Sequence, residues 1–376
     1  MSQARVVMWK SVWLPSTETF VAGQLASLRR WDATAIGIER RESSLLTGEE
    51  VMLYSTGALE VLRRRLFVLT GRSRRLERVI RESGASLIHA HFAHEGFFVA
   101  RAARRLRLPL VVSTYGSDVT SLPARGGLRG ARFRRKLRRT FSTASLVLAV
   151  SESIAAKAIE YGADPGAVVV HRTGIPIPDR QDLDAERSGI LFVGRLVPKK
   201  GLEDLIDAVA ALPDALRSVP VTVIGDGPLR PQLEAAAAAA GIDMTFRGAV
   251  TQSDVLTAMA SHRVLCVPSK TPADGDTEGL PTVIVQAGAS LLPVVAYAHG
   301  GIPEIVVDGV TGVLVPEGDR PGLTAGIARL LDNPVLASDL AEGARQLVER
   351  EYSVMSQGLK LEDLYDMALV RFVQGR

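Results

Sequence analysis

The sequence predicts an α/β protein of two doubly wound, Rossmann-like domains, and three observations carry the prediction. The chain has 376 residues, and single cores stop growing near ~250–300 residues. Short β-branched runs alternate with helical patterns from end to end. Those runs are apolar without alternation, as strands of a parallel sheet covered on both faces should be.

Taken in order, the first half offers strands at 5–9 (RVVMW), 34–38 (TAIGI), 86–90 (SLIHA), 108–114 (LPLVVST), 144–150 (ASLVLAV) and 167–171 (AVVVH). The second half offers 189–194 (GILFVG), 219–225 (VPVTVIG), 243–248 (DMTFRG), 263–268 (RVLCVP), 292–297 (LPVVAY) and 311–316 (TGVLVP). Helical patterns fill the gaps, as at 94–106, 152–161, 201–211 and 228–240. Repeated strand–helix–strand units make parallel sheets with helices on both faces. The alanine run 235–240 belongs to the last of these helices, which Gly241 closes. Prolines and charges replace the pattern at 173–189 (TGIPIPDRQDLDAERSG), so the chain divides there. The expected parts are a domain at 1–178, a linker at 179–188, a domain at 189–352 and a helix at 353–376 packing back on the first domain. Ligands of such folds lie beyond the carboxyl ends of the strands, so a cleft between the domains is the expected site.

Hydrophobic residues form 47% of the chain and charged residues 23%, the balance of a soluble globular protein. The single Cys266 excludes an internal disulfide and fits a reducing compartment. Lys10 interrupts the first apolar stretch, no small-residue cleavage site follows, and no apolar run nears the ~18 residues of a membrane span. A cytoplasmic protein is expected. Its net charge of +4 conceals an asymmetry: residues 1–185 hold 29 Lys+Arg and 17 Asp+Glu, net +12, and residues 186–376 hold 16 and 24, net −8. The first half should therefore face an anionic partner.

Two stretches of the second half carry chemistry. In GRLVPKKGLEDLI (194–206) a strand ends at Gly194, and Arg195, Lys199 and Lys200 precede a helix beginning near Gly201. Cations of different reach beside a helix N-terminus make a diphosphate clamp. Arg195 and Lys200 are both expected to be exposed; the plain alternative is a solvated basic loop. In DGDTEGLPTVIVQAGA (274–289), Pro281 suits the first turn of a helix, where its missing N–H has no partner in any case. Free amides near Leu280 and Thr282 would face an anion. Glu278 precedes that helix and Gln286 lies about a turn and a half inside it. The plain alternative is a helix-start acid favoured by the dipole and an ordinary helical glutamine. Two aspartates around a glycine, Asp274 and Asp276, are a weak signal for a divalent cation, and a loop role is preferred.

GRLVPKKG, then VIGDGPLRPQLE (223–234), DGDTEGLPTVIVQAGA and HGGIPEIVVDGVTGVLV (299–315) together resemble the retaining GT-B glycosyltransferases of family 4. In the first half, LPSTETFVAGQLASL (14–28), IHAHFAHEG (88–96) and VVSTYGSDV (111–119) are similar to the exopolysaccharide and lipopolysaccharide branch of that family. The resemblance implies two Rossmann-like domains facing each other across a cleft, a nucleotide-diphosphate sugar as donor, and neither metal nor other cofactor. Arg195 and Lys200 match the cations that hold the donor diphosphate. Glu278 matches the first glutamate of the family's E-x7-E motif, at the donor sugar and diphosphate. Gln286 stands where the second glutamate usually bonds the ribose hydroxyls. Gly225 and the segment from Phe246 to Val250 match the wall around the base.

Two positions depart from the family pattern. Gln286 lacks the charge that strengthens hydrogen bonds to ribose. Tyr115, in STYGSD, stands where many relatives carry a histidine facing the donor sugar; either its hydroxyl serves there or the contact has moved. Among the nearby histidines, His89 ends a buried strand and reads as structural. His91 and His94 lie past the strand's carboxyl end, and His91 is the preferred site residue. Three histidines in six residues hint at zinc, but no cysteine or acid cluster completes a site. Asp118 reads as an acceptor or loop-ordering contact, and Thr17 and Glu18 should border the acceptor side.

Breaking the anomeric bond places negative charge on the diphosphate and positive charge on the sugar ring. Arg195, Lys200 and the helix start at Pro281 would stabilise the first, with Glu278 close to the second. The resemblance implies retention by same-face attack, the leaving phosphate taking the acceptor's proton, with no covalent role for Glu278.

RGGLRGARFRRKLRRTF (125–141) carries eight Lys/Arg and no acid, and LRRRLFVLTGRSRRLERV (62–79) is similar. As helices with a cationic face they would sit on an anionic membrane, each Lys or Arg adding ~1 kcal/mol near the lipid. A solvated face is the plain alternative. Aromatics are scarce here and no nucleic-acid motif accompanies them, so no nucleic-acid partner is expected. The expected acceptor is a glycan, glycolipid or lipid-linked molecule, and the enzyme peripheral on the inner face of the membrane. Two rivals from other classes are a GT-B nucleotide-sugar epimerase and a non-catalytic membrane-associated binding protein.

Overall fold

The computed structural model describes residues 3–13, 19–40, 49–180 and 187–375. They form two compact units, Met1–Gly174 with Val354–Arg376, and Ile175–Ser353.

Among the described residues, the first unit is built on a parallel sheet of seven strands. In chain order these are β1 (Ala4–Trp9), β2 (Trp31–Gly37), β3 (Val51–Met52), β4 (Leu87–His91), β5 (Leu110–Thr114), β6 (Leu146–Ala149) and β7 (Val168–Val170). They lie in the order β3-β2-β1-β4-β5-β6-β7. The order runs outward in both directions from the β1–β4 pair, so the loops after those strands diverge and leave a crevice at their carboxyl ends. Both faces of the sheet are covered. Val6 and Met8 of β1 join Leu361, Leu364, Tyr365 and Ala368 of the helix Val354–Gln374 in one core. Trp9 points the other way, against Phe67 and Phe98. The Val354–Gln374 helix is also held by a buried carboxylate: Glu362 Oε1 accepts the backbone N–H groups of Arg29 (2.6 Å), Arg30 (2.6 Å) and Trp31 (3.1 Å). Burial pushes that carboxyl up, but these three donors and Arg30 hold it below the ordinary range.

The second unit holds β8 (Ile190–Val193), β9 (Val221–Ile224), β10 (Met244–Gly248), β11 (Val264–Val267), β12 (Val294–Tyr297) and β13 (Val313–Val315), all parallel, in the order β10-β9-β8-β11-β12-β13. Successive residues of one strand enter opposite cores: Ile190 and Phe192 join one cluster and Leu191 the other, and Val295 and Tyr297 are split from Val294 and Ala296 in the same way. A strand with two buried faces has no polar alternate, which is why these runs are unbroken in the sequence.

The apolar runs read from the sequence all carry strands, within three residues at either end. Val51–Met52 at the sheet edge, and a two-residue pairing of Val12–Trp13 with Glu39–Arg40, are too short to leave a periodic signal. The basic stretch 125–141 is helical as Gly127–Phe141, but 62–79 is not one helix. Ala58–Thr70 ends at Gly71, whose φ of 66° is left-handed, and Arg74–Glu82 starts afresh with Ser73 Oγ accepting the Leu76 N–H. No helix of the described residues is long and apolar enough to cross a membrane.

Candidate active site

In the second unit the turns after β8 and β9 sit back to back. Gly225 has φ 130°, and a Cβ on it would lie 2.0 Å from the Gly194 carbonyl oxygen, so only glycine fits. Directly after Gly194, Arg195 is exposed, and its side chain has no partner among the described residues. Lys199 and Lys200 lie in the short turn Pro198–Lys200. Although adjacent, they engage different acids: Lys199 Nζ is 2.7 Å from Asp276 Oδ2, and Lys200 Nζ is 2.7 Å from Glu278 Oε1. Lys200 is therefore not the exposed cation its loop position suggests; its side chain is 18% exposed.

Glu278 itself is 7% exposed, with Ser269 Oγ donating to Oε1 at 3.3 Å. Burial pushes its carboxyl up, yet the charges of Lys200 and Lys199, the Lys200 hydrogen bond and His299 outweigh it and hold the group below the ordinary carboxylate range. Asp276 donates its N–H to Asp274 Oδ1 (3.1 Å) while its own carboxylate meets Lys199, so both aspartates order this loop.

His299, to which the sequence reading gave no role, fixes the main chain of Glu278. The Glu278 N–H donates to His299 Nε2 at 3.1 Å, which makes Nε2 an acceptor and leaves the proton on Nδ1, facing Glu317 Oε2 at 2.9 Å. Glu317 in turn accepts the Thr271 N–H at 2.6 Å. The following Gly300 (φ 56°) lets the loop close on the same residue, since a Cβ there would lie 2.2 Å from the Glu278 carbonyl oxygen. The signal available in the sequence was HGGIPEIV, whose histidine has no spacing rule to tie it to an acid.

The helix Thr282–Ala289 begins just beyond. Pro281 is its N-cap rather than its first turn, and among the described residues no side chain caps it, so its first amides are left open. Thr282 and Gln286 are half-buried on this helix, and Leu280 packs on the core beside it. Phe246 does not join this group. It packs into the core beside the helix Arg230–Ala239, and its carbonyl accepts from Arg230 at 3.2 Å.

A second cluster gathers at the carboxyl ends of β4 and β5 in the first unit. His91 is buried, its Nδ1 2.8 Å from the Tyr115 hydroxyl and its Nε2 without a hydrogen-bond partner among the described residues. Burial, with Lys10 and His171 nearby, pulls its pKa down to about 3, so it is a neutral ring. His89 is fully engaged between Tyr365 (2.7 Å) and Ser113 (2.8 Å). Asp118 orders the loop: it accepts the N–H groups of Tyr115 (3.1 Å), Gly116 (2.9 Å) and Ala93 (2.8 Å), the last starting the helix Ala93–Leu106. Phe92, between β4 and that helix, has a φ of 72°, a strained value for a non-glycine residue. It packs 4.7 Å from the Tyr115 ring under Lys10. His94 packs on Phe133 instead. Thr17 and Glu18 lie outside the described residues.

Comparison with known proteins identifies the family. Residues 39–177 match the family profile described as Glycosyltransferase Family 4, and residues 176–347 that of glycosyl transferases group 1. An alpha-D-kanosaminyltransferase of Streptomyces kanamyceticus is 30% identical across 80% of this chain and 81% of its own. An amylovoran biosynthesis glycosyltransferase of Erwinia amylovora is 33% identical across 57% of this chain; the chain spans about half of that relative, 54%. Among solved structures, the Anabaena protein HepE in complex with UDP-glucose shares the fold, with a TM-score of 0.75 at 21% identity over 96% of this chain and 99% of that one. With two adjoining profiles matched and the kanosaminyltransferase aligned over most of both chains, the protein belongs to glycosyltransferase family 4 and has the GT-B fold.

Proposed function

We propose that this glycosyltransferase moves a hexosyl group from a nucleotide-diphosphate sugar to a glycan, glycolipid or lipid-linked acceptor, retaining the anomeric configuration. The observation that carries the proposal is the Lys200–Glu278 pair before the uncapped Thr282–Ala289 helix. A departing diphosphate needs positive charge that is already in place. Lys200, Arg195 and the open amides supply it without a metal ion. Glu278 is ionised and held by Lys200, so it is suited to face the positive sugar ring as an electrostatic partner rather than a nucleophile. The acceptor's proton would pass to the leaving phosphate. Gln286 would meet the ribose. In the first unit, His91 and the Tyr115 hydroxyl are candidate substrate-binding groups, with Asp118 holding their loop. HepE's complexes with UDP and UDP-glucose support a nucleotide-sugar donor. The cationic Gly127–Phe141 helix is suited to an anionic membrane, with the enzyme peripheral on its inner face.

The test is incubation with a panel of nucleotide sugars followed by mass spectrometry. Transfer, or slow hydrolysis of one donor, is expected. An isomeric sugar would make the protein an epimerase, and no change with any donor would make it a binding protein.

A further inference from the structure

The Ala58–Thr70 helix carries a stripe that its own unit leaves uncovered. Leu59, Leu62, Leu66 and Leu69 recur at three- and four-residue spacing, and each is more than half exposed. Single exposed leucines are ordinary, but four along one helical face mark a surface that meets something apolar. Beside the stripe, this helix and Gly127–Phe141 wall a groove of about 890 Å³. Val68 and Phe133 give it apolar sides, and Arg65, Arg129 and Arg132 give it charge. Those three arginines have no acidic partner among the described residues. Leu128, at the start of the second helix, is 83% exposed.

Hydrocarbon contact next to unpaired cations is complementary to an amphiphile with a phosphate beside its chains. We infer that the groove takes the headgroup of an anionic phospholipid while the leucine stripe inserts among the acyl chains of the same leaflet. This rests on the proposed reading that the Gly127–Phe141 helix faces a membrane, and adds insertion, by a different helix, to that electrostatic contact. A second copy of the chain fits poorly, because residues 125–141 have no acid and two such faces would set like charges against each other.

The experiment sediments the full chain with vesicles of phosphatidylcholine alone or mixed with phosphatidylglycerol, at low and high salt. Compared are the unmodified protein, Leu62→Ser/Leu66→Ser/Leu69→Ser, and Arg65→Gln/Arg129→Gln/Arg132→Gln. All six positions are on the surface groove or stripe, and thermal unfolding checks that each variant is folded. The unmodified protein should bind the mixed vesicles, with a fraction surviving high salt. The leucine variant should lose that salt-resistant fraction by about 10-fold or more, and the arginine variant the preference for phosphatidylglycerol. UDP binding, measured in the same samples, should not change. A leucine variant that binds like the unmodified protein overturns the inference. So does equal binding to both vesicle types, or a dimer that the leucine substitutions dissociate without any vesicle binding. Failure to bind or turn over any nucleotide sugar would instead refute the catalytic reading and leave the vesicle result standing.

Discussion

Lys200→Ala perturbs the charge balance of the site in a way that can be worked out in advance. The lysine lies 2.7 Å from a carboxylate that is 7% exposed. Its neighbour Lys199 is engaged with Asp276 and reaches Glu278 only through its charge, so among the described residues truncation leaves Ser269 at 3.3 Å as the side-chain hydrogen-bond donor to Glu278. Breaking a buried pair from one side costs ~3–5 kcal/mol, and the 18% exposure of Lys200 places this case at the lower end. For a unit of this size 1 kcal/mol moves a transition by ~2–4 °C, so the second unit should melt roughly 6–12 °C lower. The loss should depend on pH. In the unmodified protein, a carboxyl held below its ordinary value contributes stability that is present above the ordinary carboxylate pKa and is lost as pH falls through the lower, folded value. Without Lys200, burial is opposed mainly by the charge of Lys199, so the Glu278 carboxyl should rise, and the destabilisation should fade as the pH falls and the group takes a proton. Adding Glu278→Gln removes the stranded charge and should restore most of the stability. Turnover should stay at least ~10²-fold down in both variants, because the proposed charge partner of the leaving group is missing. Arg195→Ala should lose as much turnover with almost no change in melting, since Arg195 is exposed and its side chain makes no hydrogen bond or ion pair among the described residues. Calorimetric melting and initial transfer rates read both quantities. A double variant as unstable as Lys200→Ala would refute the stranded-carboxylate argument, and near-normal turnover in Lys200→Ala would remove it from the clamp.

Two further outcomes are expected. Gln286→Glu should keep or tighten nucleotide binding by calorimetry, and Gln286→Ala should weaken it, because a carboxylate bonds hydroxyls more strongly than an amide; equal affinities would mean that Gln286 does not touch the ligand. The first unit should be acid-labile: burial pulls His91 down to about 3 and His171 to about 4, while both titrate near ~6.5 when unfolded. Between those values the unfolded chain binds more protons, so stability falls as pH drops below ~6.5, by about 2 kcal/mol per histidine at pH ~5. Denaturant midpoints that stay flat from neutral to mildly acidic pH would contradict this.

Much of the fold was legible in advance because parallel strands buried on both faces must be apolar at every position. Ile190, Leu191 and Phe192 are read as one run for this reason, even though they feed two different cores. The two-residue strand Val51–Met52 is too short for any period, and the break at Gly71 depends on one backbone angle within a stretch whose charge pattern runs on unchanged. The candidate site was legible as residue types near a helix start, since Pro281, Glu278 and the lysines are local signals. Their partners were not. Adjacent lysines engage different acids, His299 takes the amide of a residue 21 positions earlier, and Asp118 starts a helix 25 positions earlier. Glu362 reaches across to the backbone of residues 29–31. Local periodicity reports which face of an element is buried, but a hydrogen bond between distant residues exists only once strand order has placed their loops together. Sequence alone thus specified the elements and the family, while the crossover connections of the two sheets decided which charge neutralises which.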